Sequence, residues 1–321
     1  MTRAHADRRK PVEEPAVPPA DFRSYYGRPI LKQPTWKNPD VPGYLFSGGL
    51  AGASAVVAEF ARATGRPGLA RTARLGAAGG ALAGVVLLVH DLHRPARFLN
   101  MLRVVKPTSP LSVGTWILSP FSALASAAAA SELTGIAPAL GRLAGVGAAA
   151  LGGPMTSYTA VLLTNTAVPA WHGAYREMPF VFGGSAAAAA GGLGLVGAPV
   201  AENAPAARLG AAGAAVELAA GALMEHRLGL IGDRYRTGAA GTCMRVAKAL
   251  SVIGAAGALA GRRHRGVAAA SGAALMAGSL LTRFGVFLAG KASAADPRDT
   301  VVPQRARAAE ADRAQAPEGT G

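Results

Sequence analysis

Eight stretches of the chain are almost continuously apolar, at about residues 41–61, 75–90, 111–131, 143–164, 178–200, 206–224, 246–261 and 267–289. A helix needs about 20 such residues to cross the hydrocarbon core of a bilayer. The pattern therefore predicts an all-α integral membrane protein, a bundle of about eight transmembrane helices, with the second and seventh runs the shortest. Flanking this domain of residues 41–290, the pattern predicts a polar N-terminal segment at the membrane face (1–40) and a disordered polar C-terminal tail (291–321). Residues 1–10 are basic, but 11–19 are proline-rich where the apolar core of a signal peptide should follow. Between the second and third runs, Phe98, Leu99, Met101, Leu102 and Val105 fall at helical spacing after Pro95, and Pro107 and Pro110 bar continuation. That spacing suits a short amphipathic helix lying in the interface, or equally an interfacial loop with snorkelling arginines.

Composition sharpens this picture. Only 16% of the 321 residues are charged while 50% are hydrophobic, and a soluble domain carries about 25% charge. The excess of 33 Lys+Arg over 18 Asp+Glu is spread between the apolar runs and through the tails. That distribution suits anionic headgroups and not a nucleic-acid site. Cys243 is the single cysteine, so this chain alone can hold neither a disulfide framework nor an iron–sulfur cluster. With eight spans both tails share a side, and the positive-inside rule places them in the cytoplasm. The preference is weak, because the loops nearly balance and the tails carry it.

A few polar residues stand where polarity is costly. Asp91 ends the second span, Glu59 lies near the end of the first, and Glu217 interrupts an otherwise apolar sixth span. An intramembrane carboxylate is a functional candidate by default, so these three are read as proton-path candidates. Pairing across helices is the competing role for each, with Arg94 or Arg97 for Asp91 and Arg283 for Glu217. His90, His93, His172 and His226 fall at span ends or in loops, which argues against the facing axial pair of a haem b subunit. No phosphate-binding loop, HExxH zinc motif or nucleophile elbow is present. A proton-coupled small-molecule transporter using Glu217 and Glu225 is the alternative from a different class.

Four segments point further. DLHRPARFLNMLRVVKPTSPLSVGTWIL at 91–118 closely resembles the NrfD-type polysulfide reductase membrane subunits. YYGRPILKQPTWKNPDVPGYLFSGGLAGAS, SYTAVLLTNTAVPAWH and the eight-span layout agree. The resemblance covers residues 25–180 well and rests on hydropathy beyond. It implies the membrane anchor of a respiratory oxidoreductase in a prokaryotic cell membrane. Such a subunit binds menaquinone or ubiquinone, carries no haem or cluster of its own, and exchanges electrons with a ferredoxin-like 4Fe-4S subunit, usually alongside a molybdopterin-type catalytic subunit. The resemblance assigns Tyr158 as a phenol donating to a quinone carbonyl, with Thr156 close by, and places Trp36 and Asn38 among the head-group contacts. An interfacial anchor is the plainer role for Tyr158. Asn100 and Asp91 join the quinone-site candidates, and Arg94, Arg97, Arg103 and Lys106 form the expected docking face for the partner.

Overall fold

The computed structural model describes residues 30–92 and 94–315. The expected N-terminal segment is thus described from Ile30 onward; residues 1–29, His93 and 316–321 lie outside the described residues. Among the described residues the α-helices are α1 (Asp40–Ala63), α2 (Pro67–Asp91), α3 (Phe98–Met101), α4 (Pro110–Thr134), α5 (Pro138–Thr164), α6 (Pro169–Gly173), α7 (Met178–Gly197), α8 (Ala204–Arg227), α9 (Gly238–Gly261), α10 (Arg265–Ala295) and α11 (Arg298–Gln315). Eight of them, all but α3, α6 and α11, are long and apolar enough to cross a membrane. The chain is an all-α membrane bundle, as the apolar runs predict.

Proline sets many of the starts. Pro67, Pro110, Pro138, Pro169, Pro179 and Pro205 each sit in a first helical turn, where the missing N–H costs nothing and φ is already helical. Gly135 ends α4 at φ 71°, a left-handed conformation that glycine adopts without a Cβ clash. The connections α1–α2, α4–α5, α7–α8 and α9–α10 are short, so the long connections, the segment from Ile30 to α1 and the start of α11 gather at the other end of the bundle, called here the tail face.

Several spans are longer than their apolar runs. The second begins at Pro67 rather than near 75, because Arg71 and Arg74 interrupt the hydropathy but not the helix. Arg74 is buried, and its charge is met by Glu59 at 2.7 Å and Glu132 at 2.5 Å. The seventh likewise begins at Gly238, upstream of Arg245 and Lys248.

α1 is the most enclosed span, with 83% of its most apolar window buried against 28% for α9. It packs on α2, α5 and α7, while α10 packs on α9 and α7. In lipid such contacts depend on close backbone approach. A Cβ on Gly52 would stand 2.7 Å from the Gly152 carbonyl oxygen, and one on Gly152 would stand 2.6 Å from that of Gly52.

Two expectations need correction. The helix expected over 95–105 is shorter: a 3-10 turn at Pro95–Arg97 leads into the single turn of α3, and the chain is irregular from there to Pro110. The start of α4 fastens this stretch, since the Ser112 hydroxyl donates to Val104 O (2.8 Å) and accepts from Lys106 N–H (3.0 Å), and the Trp116 indole donates to Val104 O. The tail expected to be disordered from 291 is helical where described. α10 continues to Ala295, Asp296 accepts the Arg298 N–H at 2.9 Å, and Asp299, 2% exposed, receives the Arg234 guanidinium.

Candidate functional site

The segment before α1 is clamped onto the end of α2. Asp91 Oδ1 accepts the backbone N–H of Lys37 at 2.8 Å, Lys37 Nζ donates to His90 O at 2.9 Å, and His90 Nδ1 lies 2.8 Å from Asp40 Oδ2. Asp91 is thus engaged by a backbone donor; it makes no salt bridge to Arg94 or Arg97 among the described residues. The clamp sets Trp36 at the rim of a hollow of about 250 Å³ lined by Thr35, Trp36, Asp91, Leu92, Arg94 and Arg97.

Trp36 also borders a second hollow, about 370 Å³, shared with Leu31–Thr35, Thr166–Val168 and Trp171. Its indole stacks on that of Trp171, ring centroids 5.5 Å apart, and Trp171 in turn packs on Phe287 at 5.9 Å. Trp171 is fully buried and its Nε1–H donates to Val286 O at 2.8 Å. α6 holds it there: Ala170 N–H donates to the Ser293 hydroxyl, and the Tyr235 hydroxyl donates to Ala170 O. Trp171 was not singled out from the sequence. Its signal was there in the scarcity of aromatics, with Trp only 3 times in the chain and one of them in a proline-containing polar connection.

A third hollow, about 260 Å³, lies at the start of α4 and is lined by Asn100, Met101, Val104, Ser109, Leu111, Ser112 and Thr115. Its surroundings include the exposed side chains of Leu99, Val104, Leu111 and Trp116. Next to Thr115, Gly114 makes room for the Tyr158 ring: a Cβ there would stand 2.5 Å from Tyr158 Cε2. Tyr158 is 7% exposed and its hydroxyl is buried with no hydrogen-bond partner among the described residues. A buried phenol normally finds one. Thr156 spends its hydroxyl on Gly153 O at 2.7 Å, and Asn38 is exposed away from the hollows.

A family model for polysulphide reductase, NrfD, matches residues 33–208, more than half of the chain. The chain belongs to the polysulphide reductase NrfD family. The matched segment carries Trp36, Asp91, Asn100, Gly114, Tyr158 and Trp171, and all the lining of the hollows just described except Leu31 and Lys32. No curated protein sequence matches the chain. Within this family member the sequence-derived residues fall into two groups on the tail face. Trp36 and Asp91 share one hollow with Arg94 and Arg97, and Asn100 lines the one at the start of α4, the helix whose Gly114 packs against Tyr158.

The proton-path candidates do not meet. Glu59 lies near the end of α1 opposite the tail face, paired with Arg62 at 2.8 Å and with Arg74. Asp91 sits on the tail face. Glu217 is 5% exposed in the middle of α8, where the Thr282 hydroxyl donates to its Oε1. Arg283, foreseen as a partner, is fully buried nearby but donates to Phe182 O at 2.9 Å, its guanidinium 3.7 Å above the Phe182 ring.

The docking candidates Arg94, Arg97, Arg103 and Lys106 are all exposed, and none is in an ion pair among the described residues. Arg227, on the same face, is engaged. Arg227 holds Glu177 with bonds of 2.6 and 2.5 Å and also donates to Gly173 O. Those bonds hold the Glu177 carboxyl below the usual carboxylate range.

Proposed function

We propose that the chain is the quinone-reactive membrane subunit of a respiratory oxidoreductase. In this reading it exchanges electrons with a ferredoxin-like 4Fe-4S subunit docked on its tail face, alongside a molybdopterin-type catalytic subunit. The observation that carries this is the gathering of the family segment's polar residues around hollows at one end of an otherwise apolar bundle, beside four exposed, unpaired cations. A quinone supplies two-electron, two-proton chemistry and reaches its site from lipid, so its site needs an apolar approach and a few fixed polar groups. The hollow at α4 offers the apolar approach. Tyr158 offers a buried donor with no other duty, and Asn100 a carboxamide at the rim. Ring stacking of Trp36 on Trp171 suits the face of a flat head group, and Asp91 supplies a carboxylate whose orientation the Lys37 N–H already fixes. The residues present therefore fit a menaquinone or ubiquinone head group.

Arg94, Arg97, Arg103 and Lys106 would steer and orient an acidic partner surface, as complementary charge does at encounter. The membrane is taken to be the prokaryotic plasma membrane with the tails cytoplasmic, on the charge bias of the tails. The test is a mild-detergent pull-down of the tagged chain from its native membranes with mass spectrometry of what accompanies it. A cysteine-rich ferredoxin-like subunit is expected, lost when Arg94, Arg97 and Arg103 are changed together to Ser. Recovery of the chain alone, stable and monodisperse, would overturn the anchor reading.

A further inference from the structure

The middle of the α7–α10 half holds a polar cluster that the quinone reading does not use; its Glu217, Ser251, Thr282 and Arg283 lie beyond residue 208, where the family match ends, and Ser185 lies within it. Glu217 on α8 is surrounded by hydroxyls from three other helices: Thr282 on α10, Ser185 on α7 and Ser251 on α9. Ser185 also donates to Ser279 at 2.8 Å. A carboxylate at this depth is costly unless paired or protonated. Arg283 acts on it electrostatically but forms no salt bridge with it among the described residues: one guanidinium nitrogen donates to Phe182 O, and Nε and Nη1 are buried with no hydrogen-bond partner among those residues. One oxygen of Glu217 is fixed by Thr282; the other, Oε2, is buried with no hydrogen-bond partner among the described residues.

Glu217 lines a cavity of about 10 Å³ together with Val181, Leu218, Gly221, Met244, Lys248 and Thr282, about the room one water needs. From there titratable groups continue toward the tail face. Lys248 Nζ donates to Glu225 Oε1 at 2.6 Å, and Glu225 Oε2 accepts from Arg236 Nε at 3.1 Å, just ahead of α9. Glu225 lies two residues before the end of α8, whereas Glu217 lies ten before it, or roughly 15 Å along the axis.

We propose that Glu217 is a proton-exchange site at the centre of the bundle, loaded from the tail face through Lys248 and Glu225. The proton adds to Oε2 and leaves by the same oxygen, so no redox partner is involved. The charged and titratable groups facing the site are Arg283 from α10, Lys248 from α9 and Glu225 from α8 itself; α7 contributes Ser185. The site does not depend on quinone or partner binding.

The test is infrared difference spectroscopy of the full chain in lipid vesicles, acid against neutral, without quinone. A carboxylic acid band should appear on acidification, shift in D₂O and be absent from Glu217→Gln. Should that variant not fold, Thr282→Val carries the assignment. Losing the Thr282 donor to the carboxyl should displace the band. Lys248→Met should slow deuterium exchange of the band on the order of a hundredfold, the effect of removing one positioned proton carrier. A band indifferent to pH, or one that Thr282→Val leaves in place, would overturn the site. Exchange unaffected in Lys248→Met would overturn the route. Loss of the acid band on adding NaCl at constant pH would make the site a sodium site instead.

Discussion

At the scale of single residues, Tyr158 shows how a small neighbour sets up a functional group. Gly114 lets α4 lie against the phenol ring, and the hydroxyl is left buried with no partner among the described residues. If that hydroxyl serves a quinone carbonyl, Tyr158→Phe should lower quinol-dependent turnover at least tenfold, about 1.4 kcal/mol or more, with assembly preserved on a native gel. Unchanged turnover would remove Tyr158 from the site. Glu177 carries a different duty. Arg227 binds it and Gly173 O together, tying α8 to the connection before α7. Its carboxyl is held below the usual range by those hydrogen bonds. The tie therefore contributes stability in full above the ordinary carboxylate value, and loses it as pH falls through the lowered folded value. Glu177→Gln should melt earlier at neutral pH, by about 2 kcal/mol for charge-assisted bonds. The gap to wild type should close on acidification below roughly pH 4. A gap that stays constant into acid would mean that the pair is not what stabilises the loop.

Among elements, the α1–α5 crossing decides how tightly the family-matched half is built. Gly52 and Gly152 face each other so closely that each Cβ would meet the other's carbonyl oxygen. Backbone cannot swing aside as a flexible side chain would. Gly152→Val should therefore push the helices apart and destabilise by about 1–3 kcal/mol, the usual cost of overpacking. Gly153, one position on, has nothing within 4 Å of its Cβ direction, so Gly153→Ala should be neutral or slightly stabilising. Equal thermal shifts for the two variants would argue against close approach as the source of packing. Both glycines stand in the sequence as part of an unremarkable small-residue run, and only the crossing tells them apart. The same holds for the extra turns of α2: Arg74 reads as the end of an apolar run until Glu59 and Glu132 are seen beside it.

Over the whole molecule, the tail face gathers the hollows, the unpaired cations and the ties that close the bundle. One of those ties is Arg234, which reaches from the 3-10 helix before α9 to Asp296 and to both oxygens of Asp299, at 2.7 and 3.0 Å. Burial pushes the Asp299 carboxyl up, and Arg234 draws it back down. Removing the guanidinium would leave a buried carboxylate uncompensated, a loss of about 3–5 kcal/mol. Arg234→Met should thus expose the α10–α11 junction to limited proteolysis, and adding Asp299→Asn should restore protection. Protection unchanged in the single variant would show that α11 is held by other contacts. The sequence by itself determined the all-α membrane class, the eight spans and the family, because unbroken apolar runs admit one solution in lipid and the motif around Asp91 is long. It also named Trp36, Asp91, Asn100 and Tyr158. Only the tertiary structure decided that Trp36 and Asp91 share a hollow while Tyr158 packs against Gly114, that Trp171 completes the stack, and that residues 298–315 are helical. Those outcomes depend on which charges and rings meet across helices far apart in the chain, and hydropathy along one strand of sequence carries no record of such meetings.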